Sequence, residues 1–119
     1  MKNNSYTVAV LGAGNIGSAV ISRLLHLDNE VININLSKVL VSDSTKDRDF
    51  DSNFLTEDFN EIANDENIDL VIEVLGGVEP GKEYIKELLQ KGKSVITANK
   101  DIIAAVSYTH LTLPTTLVV

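Results

Sequence analysis

The chain has 119 residues, of which 44% are hydrophobic and 23% charged, a composition that fits one globular domain and argues against disorder. The net charge of −7 argues against non-specific nucleic-acid binding, and the absence of cysteine excludes disulfides and zinc–sulfur sites and favours a cytoplasmic protein. The sequence has no apolar run of membrane-spanning length and begins with polar residues, so we expect neither a membrane protein nor a signal peptide.

A strand, a glycine turn and a helix form the first predicted unit. The apolar run Tyr6–Leu11 leads into Gly12, Gly14 and Gly17, which have the G-x-G-x-x-G spacing. In this pattern the first glycine permits a sharp turn, the second lets a pyrophosphate approach the backbone, and the third lets the helix pack closely on its strand. The start of the helix favours an anion. Because both flanks fit, the pattern favours dinucleotide binding over an ordinary turn.

A second strand is predicted within residues 34–42, where a continuous apolar run is typical of a sheet covered on both faces. Asp43 follows, and an acidic residue at this place binds the ribose 2′-OH of NAD in dinucleotide folds. It lies 26 residues after Gly17, somewhat more than the usual spacing of about 20. Lys46 and Arg48 either favour the 2′-phosphate of NADP or belong to a solvated loop. The candidate cofactors are therefore NADP or NAD.

A short amphipathic helix is predicted around Phe59, Ile62 and Ala63 from their apolar spacing. The acidic residues on and around this helix lack histidine and any ligand-like spacing. We therefore expect a solvated acidic face, and no metal site is predicted.

A second strand–helix–strand unit follows. The apolar run Leu70–Leu75 is predicted to be a buried strand, followed by a turn at Gly76 and Gly77. A helix with Pro80 as its first residue then leads to the strand Ser94–Thr97, and such a crossover makes the two strands parallel. Open parallel sheets bind their ligands at the carboxyl ends of the strands, where the glycine turns lie.

Two charged residues of this unit require an explanation. Glu73 lies inside an apolar run, so it needs a partner if its charge is buried. Lys100 follows the last predicted strand, and Asn99 is suited to cap a helix that begins there. A lysine at this edge is either a surface cation or a functional residue.

These segments resemble the N-terminal, nucleotide-binding part of homoserine dehydrogenase. The most specific stretches are VIEVLGGVEP at residues 71–80 and VITANK at residues 95–100, and the resemblance covers residues 6–104. It implies an NAD(P)-binding domain at residues 1–105. The implied fold class is α/β, a Rossmann-type doubly wound parallel sheet with helices on both faces, incomplete at its C-terminal side.

The resemblance implies an enzyme that interconverts L-homoserine and L-aspartate 4-semialdehyde with NAD or NADP, in threonine and methionine biosynthesis. The family's acid–base lysine and homoserine-binding carboxylates lie further along the chain, so this fragment alone is expected to be inactive. The whole enzyme is expected to be a homo-oligomer that acts on a small-molecule substrate. One alternative is a stand-alone dinucleotide-binding or redox-sensing module without catalysis. Another is an oxidoreductase with the same first half that acts on a different small amino-acid derivative.

The resemblance also implies which residues bind the phosphates and the adenosine ribose of the cofactor. The residues expected to line the pyrophosphate are Gly12, Gly14, Asn15, Ile16 and Gly17. Asp43 matches an aspartate of the family, and Ser42 stands where a basic residue is common. The serine argues against a preference for NADP.

The later segments are expected to hold the rest of the cofactor. Gly76 and Gly77 would border the adenosine and nicotinamide path, and Thr97 is assigned to the cofactor site. Lys100 matches a family lysine near the nicotinamide and the substrate. It is therefore the candidate catalytic residue as well as a cofactor contact.

The resemblance stops at Ala104. Residues 106–119 are rich in β-forming residues and contain Pro114, although a helix should continue here. The segment resembles the translation of a transposon adapter used in sequencing-library preparation. We therefore predict a non-native read-through tail, without a catalytic role for His110. The alternative is a genuine extra strand within Leu111–Val119, broken at the proline.

Overall fold

The structure, a computed structural model, describes residues 5–25, 33–43, 45, 52–76, 80–97 and 117–118. Several sequence predictions lie outside these residues: the end of the first helix near residues 26–29, Lys46, Arg48, Gly77, Asn99, Lys100, His110 and Pro114. None of the helices in the described ranges has the length and apolar character needed to cross a bilayer.

Strands and helices alternate along the described residues. The strands are β1 (Ser5–Leu11), β2 (Asn33–Leu40), β3 (Leu55–Thr56), β4 (Leu70–Glu73), β5 (Ser94–Thr97) and β6 (Leu117–Val118). The helices are α1 (Asn15–Leu25) after β1, α2 (Asn60–Ala63) after β3 and α3 (Gly81–Gln90) after β4, and a short 3-10 helix, Ser52–Phe54, precedes β3.

The six described strands form one parallel sheet in the order β3-β2-β1-β4-β5-β6. The first three strands extend from β1 to one side, and the chain then returns past β1 to build β4, β5 and β6 on the other. The order therefore reverses between β1 and β4, which opens a crevice at their carboxyl ends. This topology confirms the predicted Rossmann-type, doubly wound parallel sheet.

Helices cover both faces of the sheet because successive strand residues point to opposite sides. Ala9 and Leu11 of β1 belong to a buried cluster that includes Ile85 of α3. Val10, between them, belongs to a second cluster with Ile21 of α1. Each of these side chains is inaccessible to solvent. Burial on both sides explains why the strands are continuous apolar runs instead of alternating apolar and polar residues.

Several elements differ from the sequence prediction, and β4 ends at Glu73 instead of Leu75. β3 was not predicted, because two residues are too few for a periodic signal. It pairs with Val39 and Leu40 at the end of β2. Helix α3 begins at Gly81, with Pro80 as its N-cap residue and not as its first helical residue.

The C-terminal segment adds an edge strand. Leu117 and Val118 pair in parallel with Val95 and Ile96 of β5. This pairing agrees with the structural alternative for the tail, a strand within Leu111–Val119. The origin of residues 106–119 and the domain boundary at residue 105 stay predictions, because strand pairing does not identify the source of a sequence.

A buried lysine holds together the opposite, amino-terminal edge of the sheet. Lys93 is only 5% exposed, and its Nζ donates hydrogen bonds to the carbonyl oxygens of Asp65 at 2.6 Å and Ile68 at 3.2 Å. These carbonyls lie in the connection from α2 to β4, whereas the lysine lies just before β5. The ammonium group therefore joins two loops and satisfies carbonyl groups that would otherwise lose a donor.

We expect Lys93→Met to lower the free energy of unfolding by about 1–3 kcal/mol, because both carbonyls lose the ammonium donor while the volume of the side chain is kept, and the Asp65 carbonyl keeps only the Ile68 amide at 3.2 Å. The matched control is Lys91→Met, which removes the same charge from an exposed side chain two residues away and should change stability by less than about 0.5 kcal/mol. Urea unfolding of the three proteins measures both effects. Equal effects of the two substitutions would contradict the role of the buried ammonium.

Candidate dinucleotide-binding site

The carboxyl edge of the sheet brings the candidate site residues together. The glycine turn follows β1, Asp43 lies three residues after β2, Gly76 lies three residues after β4, and Thr97 is the last residue of β5. The topology therefore places these four parts at one edge of the sheet, around the crevice between β1 and β4.

Gly12 makes the turn at the end of β1. Its φ of +106° is a conformation that side chains with a Cβ rarely adopt. Its amide donates a hydrogen bond to the carbonyl oxygen of Leu40 at 2.8 Å, which ties the turn to β2. A Cβ added here would lie 3.0 Å from the carbonyl oxygen of Val74, so the turn also fits closely against the chain that leaves β4.

Gly17 lets helix α1 approach the turn. A Cβ at this position would lie 2.5 Å from the carbonyl oxygen of Gly12 and 3.2 Å from Val74 Cγ2. A contact of 2.5 Å to a backbone atom is not tolerated, so the helix reaches this position only without a side chain there. The predicted role of Gly17 in close helix packing agrees with this geometry.

Gly14 differs from the other two glycines because its surroundings are open. Among the described residues, no heavy atom would lie within 4 Å of an added Cβ, and Gly14 is exposed. The structure therefore gives no packing reason for a glycine here. A group bound against the backbone of this turn would supply one, and a dinucleotide pyrophosphate fits both this space and the adjacent start of α1.

Helix α1 begins at Asn15 and Ile16, directly after the open glycine. The amide of Ser18 donates to the Gly14 carbonyl oxygen at 2.8 Å, and the Ser18 hydroxyl donates to the Ala13 carbonyl oxygen at 2.9 Å. In both hydrogen bonds, the acceptor is a carbonyl oxygen of the turn and the donor is Ser18. The first amides of a helix have no acceptor within the helix, so this end suits an anion.

Asp43 lies in a short turn after β2. Its Oδ1 accepts hydrogen bonds from the amide of Thr45 at 2.9 Å and from the Thr45 hydroxyl at 2.6 Å. Asp43 and Ser42 are exposed. The carboxylate is therefore held in place by a residue that the sequence analysis did not single out, and it remains on the surface of the site.

Thr97 is buried at the end of β5, with 1% of its surface exposed. Its hydroxyl donates a hydrogen bond to Oε1 of Glu73, while Glu73 Oε2 accepts a hydrogen bond from the amide of Leu75 at 2.9 Å. The partners that Glu73 requires are therefore a hydroxyl and a backbone amide. Direct contact between the Thr97 side chain and a cofactor stays a prediction, and the described geometry assigns its hydroxyl to the carboxylate.

Of the remaining predicted site residues, the structure describes Gly76 alone. Gly76 is exposed and has a φ of +82°, and an added Cβ would meet no atom of the described part of the chain within 4 Å. Gly77 and Lys100 lie outside the described residues, so their assignments stay predictions. Within the described ranges, no three histidine, aspartate or glutamate side chains are grouped so that they could hold a metal ion.

A cleft of about 520 Å³ lies at the opposite edge of the sheet, beside Lys93. Its lining includes Glu66, Asp69 and Lys91. This edge carries the amino ends of β4 and β5, whereas open parallel sheets bind ligands at the carboxyl ends. The cleft is therefore a weaker candidate than the glycine turn.

Comparison with known proteins gives the same assignment. The family model described as "Homoserine dehydrogenase, NAD binding domain" matches residues 12–113. The homoserine dehydrogenase of Bacillus subtilis (strain 168) is 36% identical over 104 residues, covering 82% of this chain and 24% of the relative. That of Mycobacterium bovis is 40% identical over 103 residues, covering 82% of this chain and 23% of the relative.

Solved structures agree with the sequence comparison. A crystal structure of S. aureus homoserine dehydrogenase matches with a TM-score of 0.82 and 32% identity, covering 98% of this chain and 32% of that one. The homoserine dehydrogenase of Thiobacillus denitrificans matches with a TM-score of 0.77 and 25% identity, covering 96% of this chain and 29% of that one. The present chain spans about a quarter of the length of the curated relatives named above.

Substitution by alanine is expected to affect stability at Gly17 and cofactor binding at Gly14. Gly17→Ala should lower the free energy of unfolding by about 1–3 kcal/mol, because the clash with the Gly12 carbonyl exceeds the gain in helix propensity. Gly14→Ala should leave stability within about 0.5 kcal/mol but weaken NADH binding by at least about tenfold. Thermal unfolding and fluorescence titration measure the two properties. A Gly14→Ala protein that binds NADH normally would contradict the placement of the pyrophosphate.

Proposed function

This chain belongs to the homoserine dehydrogenase family, whose NAD-binding domain it matches, and on that premise we propose that it binds NAD in preference to NADP as the cofactor half of such an enzyme. The observation that carries the proposal is the contrast among the three glycines. Two of them are required by contacts within the protein, whereas Gly14 faces open space at the start of a helix. A pyrophosphate at that place accounts for the third glycine.

The described residues fit a dinucleotide in three places. The glycine turn and the start of α1 would hold the pyrophosphate, with Gly12, Gly14, Asn15, Ile16 and Gly17 as its lining. Asp43 would accept hydrogen bonds from the adenosine ribose, and Gly76 would leave room for the backbone to border the cofactor. When bound, the nicotinamide supplies a hydride acceptor or donor. The protein supplies position and the exclusion of water around it.

The proposed preference for NAD rests on the turn that contains Asp43. Thr45 holds one carboxylate oxygen by two hydrogen bonds, so the negative charge is fixed at the end of β2. A fixed carboxylate accepts the 2′-OH of NAD and repels the 2′-phosphate of NADP. The preceding residue is the uncharged Ser42, so the residue directly before the carboxylate offers no cation to a 2′-phosphate.

We expect the chain to bind NADH at least about tenfold more tightly than NADPH, and Asp43→Asn to reduce that ratio by about tenfold, because the repulsive charge is lost. The matched control is Asp65→Asn, since Asp65 makes the same type of turn, accepting the Asn67 amide at 2.9 Å, at the opposite edge of the sheet. Parallel fluorescence titrations with both cofactors measure the ratio. Binding of NADPH without any binding of NADH would exclude Asp43 as a ribose ligand.

The proposed reaction is the interconversion of L-homoserine and L-aspartate 4-semialdehyde. The family assignment supports it, and Lys100 is the proposed catalytic residue beside the nicotinamide and the substrate. This chain spans about a quarter of its curated relatives. Hydride transfer requires substrate and cofactor to be held together, so we propose that the 119-residue chain binds the cofactor without turning over substrate.

Resequencing the gene across the codon for Ala105 gives the complete reading frame, from which the complete protein can be produced. We expect that protein to reduce NAD(P) when homoserine is added. Lys100→Met should lower its turnover by roughly 10²-fold, a typical contribution of a group that assists proton transfer. Lys91→Met, which changes an exposed lysine at the opposite edge of the sheet, is the control and should retain activity. A complete product that gives no nicotinamide reduction with homoserine would overturn the assignment of this reaction.

A further inference from the structure

A buried carboxylate connects the carboxyl ends of β4 and β5. Glu73 is 0% exposed and lies opposite Thr97 in the parallel register. Its two oxygens accept hydrogen bonds from the Thr97 hydroxyl and from the Leu75 amide. Among the described residues, no lysine or arginine forms an ion pair with it. The described partners of this charge are therefore two neutral donors.

The arrangement is not explained by packing alone. Removing a carboxylate from water is unfavourable, and hydrophobic residues of similar volume often replace buried charged groups without loss of stability. A leucine or methionine at position 73 would continue the apolar run Leu70–Leu75 and join the neighbouring core. The two hydrogen bonds distinguish Glu73 from such a residue, because they fix the positions of Leu75 and Thr97 relative to each other.

Both hydrogen-bond donors lie where the chain leaves the sheet toward the candidate site. Leu75 directly precedes Gly76, and Thr97 lies three residues before Lys100. A doubly wound sheet consists of two halves, each of which holds one mononucleotide. The glycine turn and Asp43 belong to the half formed by β1, β2 and β3, which holds adenosine. The segments fixed by Glu73 belong to the half formed by β4, β5 and β6.

We propose that Glu73 and Thr97 are positioning residues for the nicotinamide half of the cofactor, an inference that rests on the proposed NAD(P)-binding function. The carboxylate holds the start of the Gly76 turn and the end of β5 at a fixed separation. The cofactor then binds between segments that are already in place, and less free energy is lost in ordering them. The adenosine half follows β1 and β2, and it meets the segment held by the pair only where the Gly12 turn packs against Val74 and Leu75.

The test compares two ligands that differ in the nicotinamide half. NADH contacts both halves of the site, whereas ADP contains only adenosine and the two phosphates. Thr97→Val in the full 119-residue chain keeps the shape of the side chain and removes the hydroxyl. We expect it to weaken NADH binding by about tenfold and ADP binding by less than about twofold. Thr97→Ser restores the hydroxyl and should bind both ligands within about twofold of the unsubstituted chain.

Substitutions at the other member of the pair provide a second comparison. Glu73→Gln can keep both hydrogen bonds if the Thr97 hydroxyl reverses its direction, because the amide oxygen accepts from Leu75 and the amide nitrogen donates to the hydroxyl. Glu73→Met loses both bonds at similar volume. We expect the methionine variant alone to lose NADH affinity by about tenfold while ADP affinity changes little.

The outcomes separate this inference from the proposed function. If the unsubstituted chain binds neither NADH nor ADP by calorimetry, the cofactor function fails and the inference fails with it. If that chain binds both ligands but Thr97→Val weakens them equally, or weakens neither, only the positioning role is overturned. The same holds if Thr97→Ser does not restore binding, or if Glu73→Gln and Glu73→Met lose equal NADH affinity. Circular dichroism of each variant confirms that the folded state is compared.

Discussion

The close approach of helix α1 to the end of β1 is the constraint on which the rest of this structure depends. Gly17 lies against the carbonyl group of Gly12, and both lie against Val74, the residue directly after β4. The turn can therefore adopt its shape only if positions 12 and 17 carry no side chain. Because β1 is central in the sheet, this contact also sets where the carboxyl ends of β2 and β4 lie, through hydrogen bonds from Gly12 to Leu40 and from Val74 to Leu11.

The two halves of the site use different physical means to hold their positions. Around the glycine turn, position is set by backbone contacts that exclude even one methyl group. On the side of β4 and β5, position is set by a buried carboxylate and two donors. The first kind of constraint requires small residues, and the second requires a charged group that is costly to bury.

The sequence predicted what is encoded locally and missed what depends on distant neighbours. The glycine spacing, the parallel strands and the place of Asp43 follow from short patterns, and the described fold confirms the strands. The partner of Glu73 lies 24 residues away, so no local pattern could identify Thr97 as its donor. Lys93 carries the same charge as the nearby exposed Lys91, and only the fold buries it. β3 is too short to have a period.

The central position of β1 also has a consequence for how the chain folds. Its neighbour β4 lies far along the sequence, as the hydrogen bond between Thr7 and Asp69, 62 residues apart, shows. Loop closure over such a distance is costly, so folding dominated by these contacts is slow compared with that of helical proteins. During synthesis, β1 cannot pair with β4 until β4 has left the ribosome. For that interval a central strand of the sheet has an open edge, which is where association between incomplete chains would begin.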